Sequence, residues 1–229
     1  MYAIAIDGPA GAGKSSIAKA AAARLGFIYV DTGALYRTVA LHLLNRGIDP
    51  KDPAAVENAL KDVEVSMEHQ GDGQHVFLCG RDVTDRIRTP EVSMAASVSS
   101  AIPAVRRFLF ELQTGMARRY NVIMDGRDIG TVVLPHAQVK IFLTASPQVR
   151  ARRRCLELEE KGEPADYGRV LEDIIQRDYQ DSHRETAPLK PAADSVVLDS
   201  SDLTFSQVVE KFVSLVEQRL ASGEQAPQK

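Results

Sequence analysis

One eight-residue run restricts what this chain can fold into more than any other: Gly8-Pro9-Ala10-Gly11-Ala12-Gly13-Lys14-Ser15, a full match to Gly-x-x-x-x-Gly-Lys-Ser. Before it stands the apolar stretch Tyr2 to Ile6, which reads as a short strand. After it comes an Ala-rich helix from about Gly13 to Leu25, with Gly26 as its stop. Strand, glycine loop and helix in that order make an anion cradle. The glycines let successive backbone N–H groups curl around a phosphate, and the helix dipole favours its negative charge. Lys14 is placed to bridge the β- and γ-phosphates, and Ser15 to offer its hydroxyl to Mg²⁺. The expected ligand of Gly8 to Ser15, with Ser16 beside them, is a nucleoside triphosphate, ATP, bound by a phosphotransferase.

The rest of the chain reads as alternating strand and helix. Phe27 to Val30, Val122 to Met124, Val139 to Leu143 and Val196 to Leu198 are short buried strands, so the sheet is expected to be parallel and about five-stranded in an α/β fold. Helices are expected after Asp31-Thr32-Gly33, after Asp52-Pro53, Thr89-Pro90, Pro103 and Ser146-Pro147, over Tyr167 to Ser182, and from Val208 to Leu220. The stretch from Val63 to Val83 breaks this rhythm. Val63, Val65 and Met67 alternate with polar residues, Gly71-Asp72-Gly73 turns, and Val76 and Leu78 alternate again, which predicts a β-hairpin inserted outside the main sheet. Residues 221–229 form a polar tail expected to be disordered.

Charge and composition narrow the partners. With 229 residues, 44% hydrophobic residues and a net charge of only -3, the chain has the make-up of a globular domain and no excess of cations. No nucleic-acid or membrane partner is expected, and the absence of a leader or a long apolar run predicts a cytoplasmic protein, with a monomer as the expected state. The two cysteines, Cys79 and Cys155, lack metal or CxxC spacing and read as ordinary structural or incidental residues, with no disulfide framework expected.

Two further clusters carry chemistry. Asp125-Gly126-Arg127-Asp128 follows a strand, where an open α/β sheet places its ligands. Asp125 is expected to hold water on Mg²⁺, with Arg127 as a bidentate clamp for an acceptor phosphate. Arg150, Arg152, Arg153 and Arg154 crowd the start of one helix, and Arg177, Asp181 and Arg184 follow at i, i+4 and i+7 on the face of the next. Cations from two helices facing one gap suit an arginine lid over transferring phosphates, with Arg150 and Arg154 on the donor nucleotide. A P-loop alone equally fits a nucleotide-dependent switch or a mechanical ATPase. A GTPase, however, should carry Asn-Lys-x-Asp near a late strand, and this chain has none. None of the five histidines is placed as a catalytic base.

Taken together, Ile4 to Lys14, Asp31-Thr32-Gly33-Ala34-Leu35-Tyr36-Arg37, Ile87-Arg88-Thr89, Asp125 to Val133 and Ala187-Pro188-Leu189 resemble the bacterial cytidylate kinases over about residues 2 to 220. The resemblance implies a three-layer P-loop kinase fold in one domain, 1–220: a core (1–36, 120–147, 185–220), a nucleoside-monophosphate-binding insert with the hairpin (37–119) and a helical lid (about 148–184). It implies transfer from ATP to CMP or dCMP in pyrimidine nucleotide metabolism. The runner-up is another small P-loop kinase acting on UMP or a non-nucleotide acceptor. It also implies roles for residues that spacing does not single out. Ser97, Arg106 and Asp128 would read the cytosine, Arg37 and Arg127 would hold the acceptor phosphate, and Thr32, Arg177 and Asp181 would contact the ribose. Arg184 would reach the reacting centre from the lid, where Lys14, Asp125 and Arg127 complete the catalytic set.

Overall fold

The computed structural model describes residues 1–71 and 73–222. Asp72, in the expected hairpin turn, and 223–229, most of the expected tail, lie outside the described residues. Ala221 and Ser222 are the last two residues of the C-terminal helix. The elements follow in the order β1 (Ala3–Asp7), α1 (Lys14–Leu25), β2 (Ile28–Asp31), α2 (Thr32–Asn45), α3 (Pro53–Ala59), β3 (Val65–Gln70), β4 (Gly73–Leu78) and β5 (Arg81–Asp82). They continue with α4 (Pro90–Ser99), α5 (Pro103–Arg119), β6 (Val122–Gly126), β7 (Val139–Thr144), α6 (Pro147–Glu160), α7 (Tyr167–Ser182), β8 (Val196–Asp199) and α8 (Phe205–Ser222). The main sheet has five strands in the order β2-β6-β1-β7-β8, and a second sheet has the order β3-β4-β5. The chain groups into two compact units, one of residues 28–122 with Met1, the other of 2–27 with the described residues from 123 onward.

In the second unit β1 pairs in parallel with β7, Ile4 opposite Val139 and Ile6 opposite Ile141, and β7 pairs in parallel with β8. Every residue of β1 is buried, as a strand covered on both faces requires. The Ala-rich composition of α1 has a packing consequence: Ala18, Ala21 and Ala22 are buried, and small side chains let α8, which buries Val209, Phe212 and Val216, pack alongside. Phe212 is fully buried. Truncating it to alanine should cost about 3–5 kcal/mol.

In the first unit α2 places Leu35, Val39 and Leu43 on one stripe, all fully buried against a core that includes Val56, Val76, Ile87, Val105 and Leu109. The expected hairpin forms antiparallel with Val65 opposite Leu78 and Met67 opposite Val76. A strand not anticipated from sequence, β5, continues it through the two-residue turn Cys79-Gly80. Both turn residues have positive φ, 48° and 74°, which matches the twist of the flanking strands.

Helix starts sit where the sequence signals place them. Asp52 accepts from the N–H groups of Ala54 and Ala55 ahead of Pro53, Thr89 accepts from Val92 ahead of Pro90, and Ser146 accepts from Val149 ahead of Pro147. One expectation needs correction. Arg184 does not lie on the helical face of Arg177 and Asp181, because α7 ends at Ser182 and Ala187 enters the left-handed region at φ 51° before Pro188. Arg184 reaches back to Asp181 from the segment that follows the helix.

Candidate active site

The phosphate loop in the second unit is built by the end of β1. Gly8 lies so close to β7 that a Cβ there would fall 1.9 Å from the carbonyl oxygen of Leu143, so no other residue fits. Gly13 adopts φ 89° and supplies no side-chain cap, which leaves the first N–H groups of α1 to an anion. Lys14 is buried and its Nζ donates to the carbonyl of Pro9 at 2.8 Å, curling the side chain over the loop. Burial, and next the charge of Arg127, bring its pKa down to about 7, against the opposing pull of Asp125, Asp7 and Asp181. A charged triphosphate supplies the missing counter-charge.

Ser15 Oγ donates to Oδ2 of Asp125 at 2.7 Å, so the first turn of α1 and the end of β6 meet at a hydroxyl and a buried carboxylate. Among the described residues no group of three or more His, Cys, Asp or Glu side chains is placed to hold a metal. A metal at this point would share its sphere with phosphate and water, the habit of Mg²⁺.

Arg127 turns toward α7, its Nε donating to Asp181 Oδ2 at 2.9 Å. Arg184 pairs with the other oxygen of the same carboxylate. Burial pushes the Asp181 carboxyl up, but Arg127 and Arg184, with Arg177 behind them, outweigh it and hold the pKa below the ordinary value. Asp181 is 1% exposed, so one buried carboxylate organises two arginines whose remaining donors are available to phosphate. Asp128 is also buried in this unit, just ahead of a single π-helical turn, Ile129–Val133.

The arginines of α6 divide. Arg150 is 2% exposed and donates to the carbonyls of Ala145 and Ala10 at 2.9 and 3.0 Å, while it pairs with Asp178 of α7. It ties the phosphate loop, the end of β7 and α7 together. Arg154 is half-exposed and pairs with Glu157 at 2.8 Å, and Arg153 donates to the carbonyl of Ser200 at 2.7 Å. Ser16 is exposed at the third position of α1.

The remaining expected residues lie in the first unit. Asp31 caps α2 by accepting from Ala34 N–H at 3.0 Å, and its other oxygen accepts from Arg37 at 2.8 Å. The Nε of Arg37 is buried and makes no hydrogen bond within the described residues. Thr32 is buried at the first position of α2. Arg106 donates to the carbonyl of Ser100 at 3.2 Å, and its guanidinium stands 5.8 Å from the ring centre of Tyr36, which brings it beside the start of α2. Ser97 is half-buried on α4, three residues from Ser100.

Sequence reasoning missed Asp7. Its two oxygens accept from the N–H groups of Ile129 and Gly130, each at 2.8 Å, so a buried carboxylate fastens the end of β1 to the turn after Asp125–Asp128. Burial raises its pKa to about 6, against the lowering effect of those two N–H groups. A signal was present: an acid immediately before a phosphate loop opposes anion binding unless its charge is used elsewhere. Asp178, the partner of Arg150, was also missed, and nothing local marks it.

A family model described as cytidylate kinase matches residues 4–218. The chain belongs to the cytidylate kinase family. A cytidylate kinase from Caldicellulosiruptor bescii is 50% identical over 93% of this chain and 94% of its own, and one from Desulfitobacterium hafniense is 47% identical over 96% and 94%. Membership makes the chain a P-loop phosphotransferase that uses a nucleotide phosphate donor, and the switch and motor readings fall away. A solved structure of an uncharacterized protein from Eubacterium ventriosum superposes with TM-score 0.51 at 12% identity, covering 95% of this chain and 99% of that one, a likeness of fold. No helix among the described residues is long and apolar enough to cross a membrane.

Proposed function

We propose that this cytidylate kinase transfers the γ-phosphoryl group of ATP directly to the 5′-phosphate of CMP or dCMP, giving ADP and CDP or dCDP in pyrimidine nucleotide metabolism. The observation that carries the donor side is the meeting of Ser15 with Asp125 at 2.7 Å beside the buried Lys14. A hydroxyl and a carboxylate are hard oxygen donors, and they fit a Mg²⁺ that also takes phosphate and water ligands. When bound, that ion neutralises charge on the β- and γ-phosphates. The backbone from Gly8 to Gly13 cradles the phosphates, Lys14 bridges the β- and γ-groups, and Ser16 lies beside them. Arg150 shapes the loop through the carbonyl of Ala10, and in this reading Arg150 and Arg154 serve the donor nucleotide, Arg154 exchanging its surface pair with Glu157 for it.

The acceptor oxygen belongs to an ionised phosphate, so no strong general base is needed. Catalysis rests on position and charge. Arg127 and Arg184, held by Asp181, donate to the transferring group, and Arg37 with Arg127 holds the acceptor phosphate. Thr32, Arg177 and Asp181 contact the ribose. Ser97, Arg106 and Asp128 read the cytosine, the carboxylate accepting from the exocyclic amine while the arginine donates to ring acceptors. Uracil places a carbonyl where that amine was, a mismatch of about 1–3 kcal/mol. In this reading 37–119 carries the acceptor, about 148–184 is the lid, and the enzyme works as a cytoplasmic monomer.

Comparing CMP, dCMP, UMP and AMP as acceptors in a coupled ADP-release assay tests this. CMP and dCMP should be preferred, and Asp128→Asn should erode the preference over UMP. Unchanged selectivity in that variant would overturn the base-reading assignment.

A further inference from the structure

Gln74 is the second residue of β4, the second strand of the hairpin, and stands on the same face as Val76 and Leu78, the face that packs on the core of the first unit. An amide on an apolar face needs a partner. Gln74 has two on a single residue: its Oε1 accepts from the N–H of Asp31 at 2.7 Å, and its Nε2 donates to the carbonyl of Asp31 at 3.2 Å. The geometry has a simple origin. Asp31 ends β2, which lies at one edge of the main sheet. In a strand, the N–H and C=O of one residue point to the same side, where a neighbouring strand would exchange both bonds. The Gln74 amide presents the same donor and acceptor pair and takes the place of that strand.

What it fastens matters. The carboxylate of Asp31 holds Arg37 at 2.8 Å and caps α2 at the N–H of Ala34. Arg37 can fold back so closely because residue 33 is glycine: a Cβ there would lie 2.9 Å from an Arg37 nitrogen and 3.1 Å from an Asp31 oxygen. The peptide of Asp31 is gripped on one side by the hairpin, and its side chain grips the arginine on the other.

We propose that Gln74 is a positioning residue for acceptor binding, acting through Asp31 to hold Arg37 in the orientation that receives the monophosphate. This rests on the reading of Arg37 as a ligand of the acceptor phosphate. It gives the hairpin a task in the reaction through the peptide it fastens. Loss of two neutral hydrogen bonds that set one guanidinium corresponds to a weakening of roughly tenfold.

Steady-state kinetics of the full chain, with CMP varied at saturating Mg·ATP and then the reverse, provide the test. Gln74→Ala should raise KM for CMP roughly tenfold and leave KM for ATP within roughly twofold. Arg37→Ala should raise KM for CMP by itself, and the double variant should be no worse than Arg37→Ala, because the first residue acts through the second. A wild-type KM for CMP in Gln74→Ala, or penalties that multiply in the double variant, would overturn the proposal. A wild-type KM in Arg37→Ala would instead remove the phosphate-clamp reading on which it stands. Should Gln74→Ala not fold, Gln74→Glu keeps the acceptor for Asp31 N–H and drops the donor. An intermediate KM for CMP supports the proposal and a wild-type value overturns it.

Discussion

Replacing Asp7 by asparagine should change how stability depends on pH, beyond any fixed cost of the substitution. The carboxyl is 5% exposed, and burial lifts its pKa from 3.8 to about 6 despite two N–H donors at 2.8 Å. The folded state therefore holds the proton more tightly than the unfolded chain. Asp7 contributes most below pH 3.8, and that contribution is lost as pH rises through about 6. At 1.36 kcal/mol per pKa unit the full loss is about 3 kcal/mol, of which about 2 kcal/mol falls between pH 4 and pH 7.5. Asparagine cannot ionise, so it escapes the loss, but its NH₂ group opposes one of the two N–H donors, at a pH-independent cost of about 1–3 kcal/mol. The stability of Asp7→Asn relative to wild type should thus improve by about 2 kcal/mol from pH 4 to pH 7.5. Urea denaturation of both proteins at several pH values measures it, and other carboxylates cancel in the difference. Parallel stability profiles would refute the claim that burial dominates the environment of Asp7.

Lys14 has a pKa brought down to about 7 by burial and by Arg127, so binding of a triphosphate at pH 8 should take up close to one proton. Calorimetry in two buffers of different ionisation enthalpy reads this, and buffer-independent heats would contradict it. Arg150→Ala removes three hydrogen-bonded contacts of a buried guanidinium and strands Asp178, so it should destabilise the fold by about 3 kcal/mol. A loss under about 1 kcal/mol in denaturant would show that the pair is dispensable. Gly8→Ala should abolish ATP binding or soluble expression, because its Cβ would meet the carbonyl of Leu143 at 1.9 Å. Normal ATP affinity in a soluble variant would refute the close approach of loop and strand.

The elements that the sequence made legible share one property: their cause is local. Asp52-Pro53, Thr89-Pro90 and Ser146-Pro147 announce helix starts because a side chain satisfies N–H groups two or three residues away. The phosphate loop is legible for the same reason, since glycine conformations and the first turn of α1 are set within about eight residues. Asp125-Gly126-Arg127-Asp128 could be placed at a strand end from its neighbours alone, and the family resemblance named the acceptor.

Contacts between distant segments were decided only by the tertiary structure. Asp7 meets Ile129 and Gly130 across more than a hundred residues, Arg150 finds Asp178 on another helix, and Gln74 reaches back to Asp31 from the hairpin. The arginine run of α6 shows the difference most directly. In sequence Arg150, Arg153 and Arg154 are equivalent cations, yet helical rotation sends Arg150 into the interior, Arg153 to the carbonyl of Ser200 and Arg154 to a surface pair with Glu157. Residue type establishes that a charge needs a partner. Which partner it meets depends on what the rest of the chain packs beside it, and no local pattern carries that information.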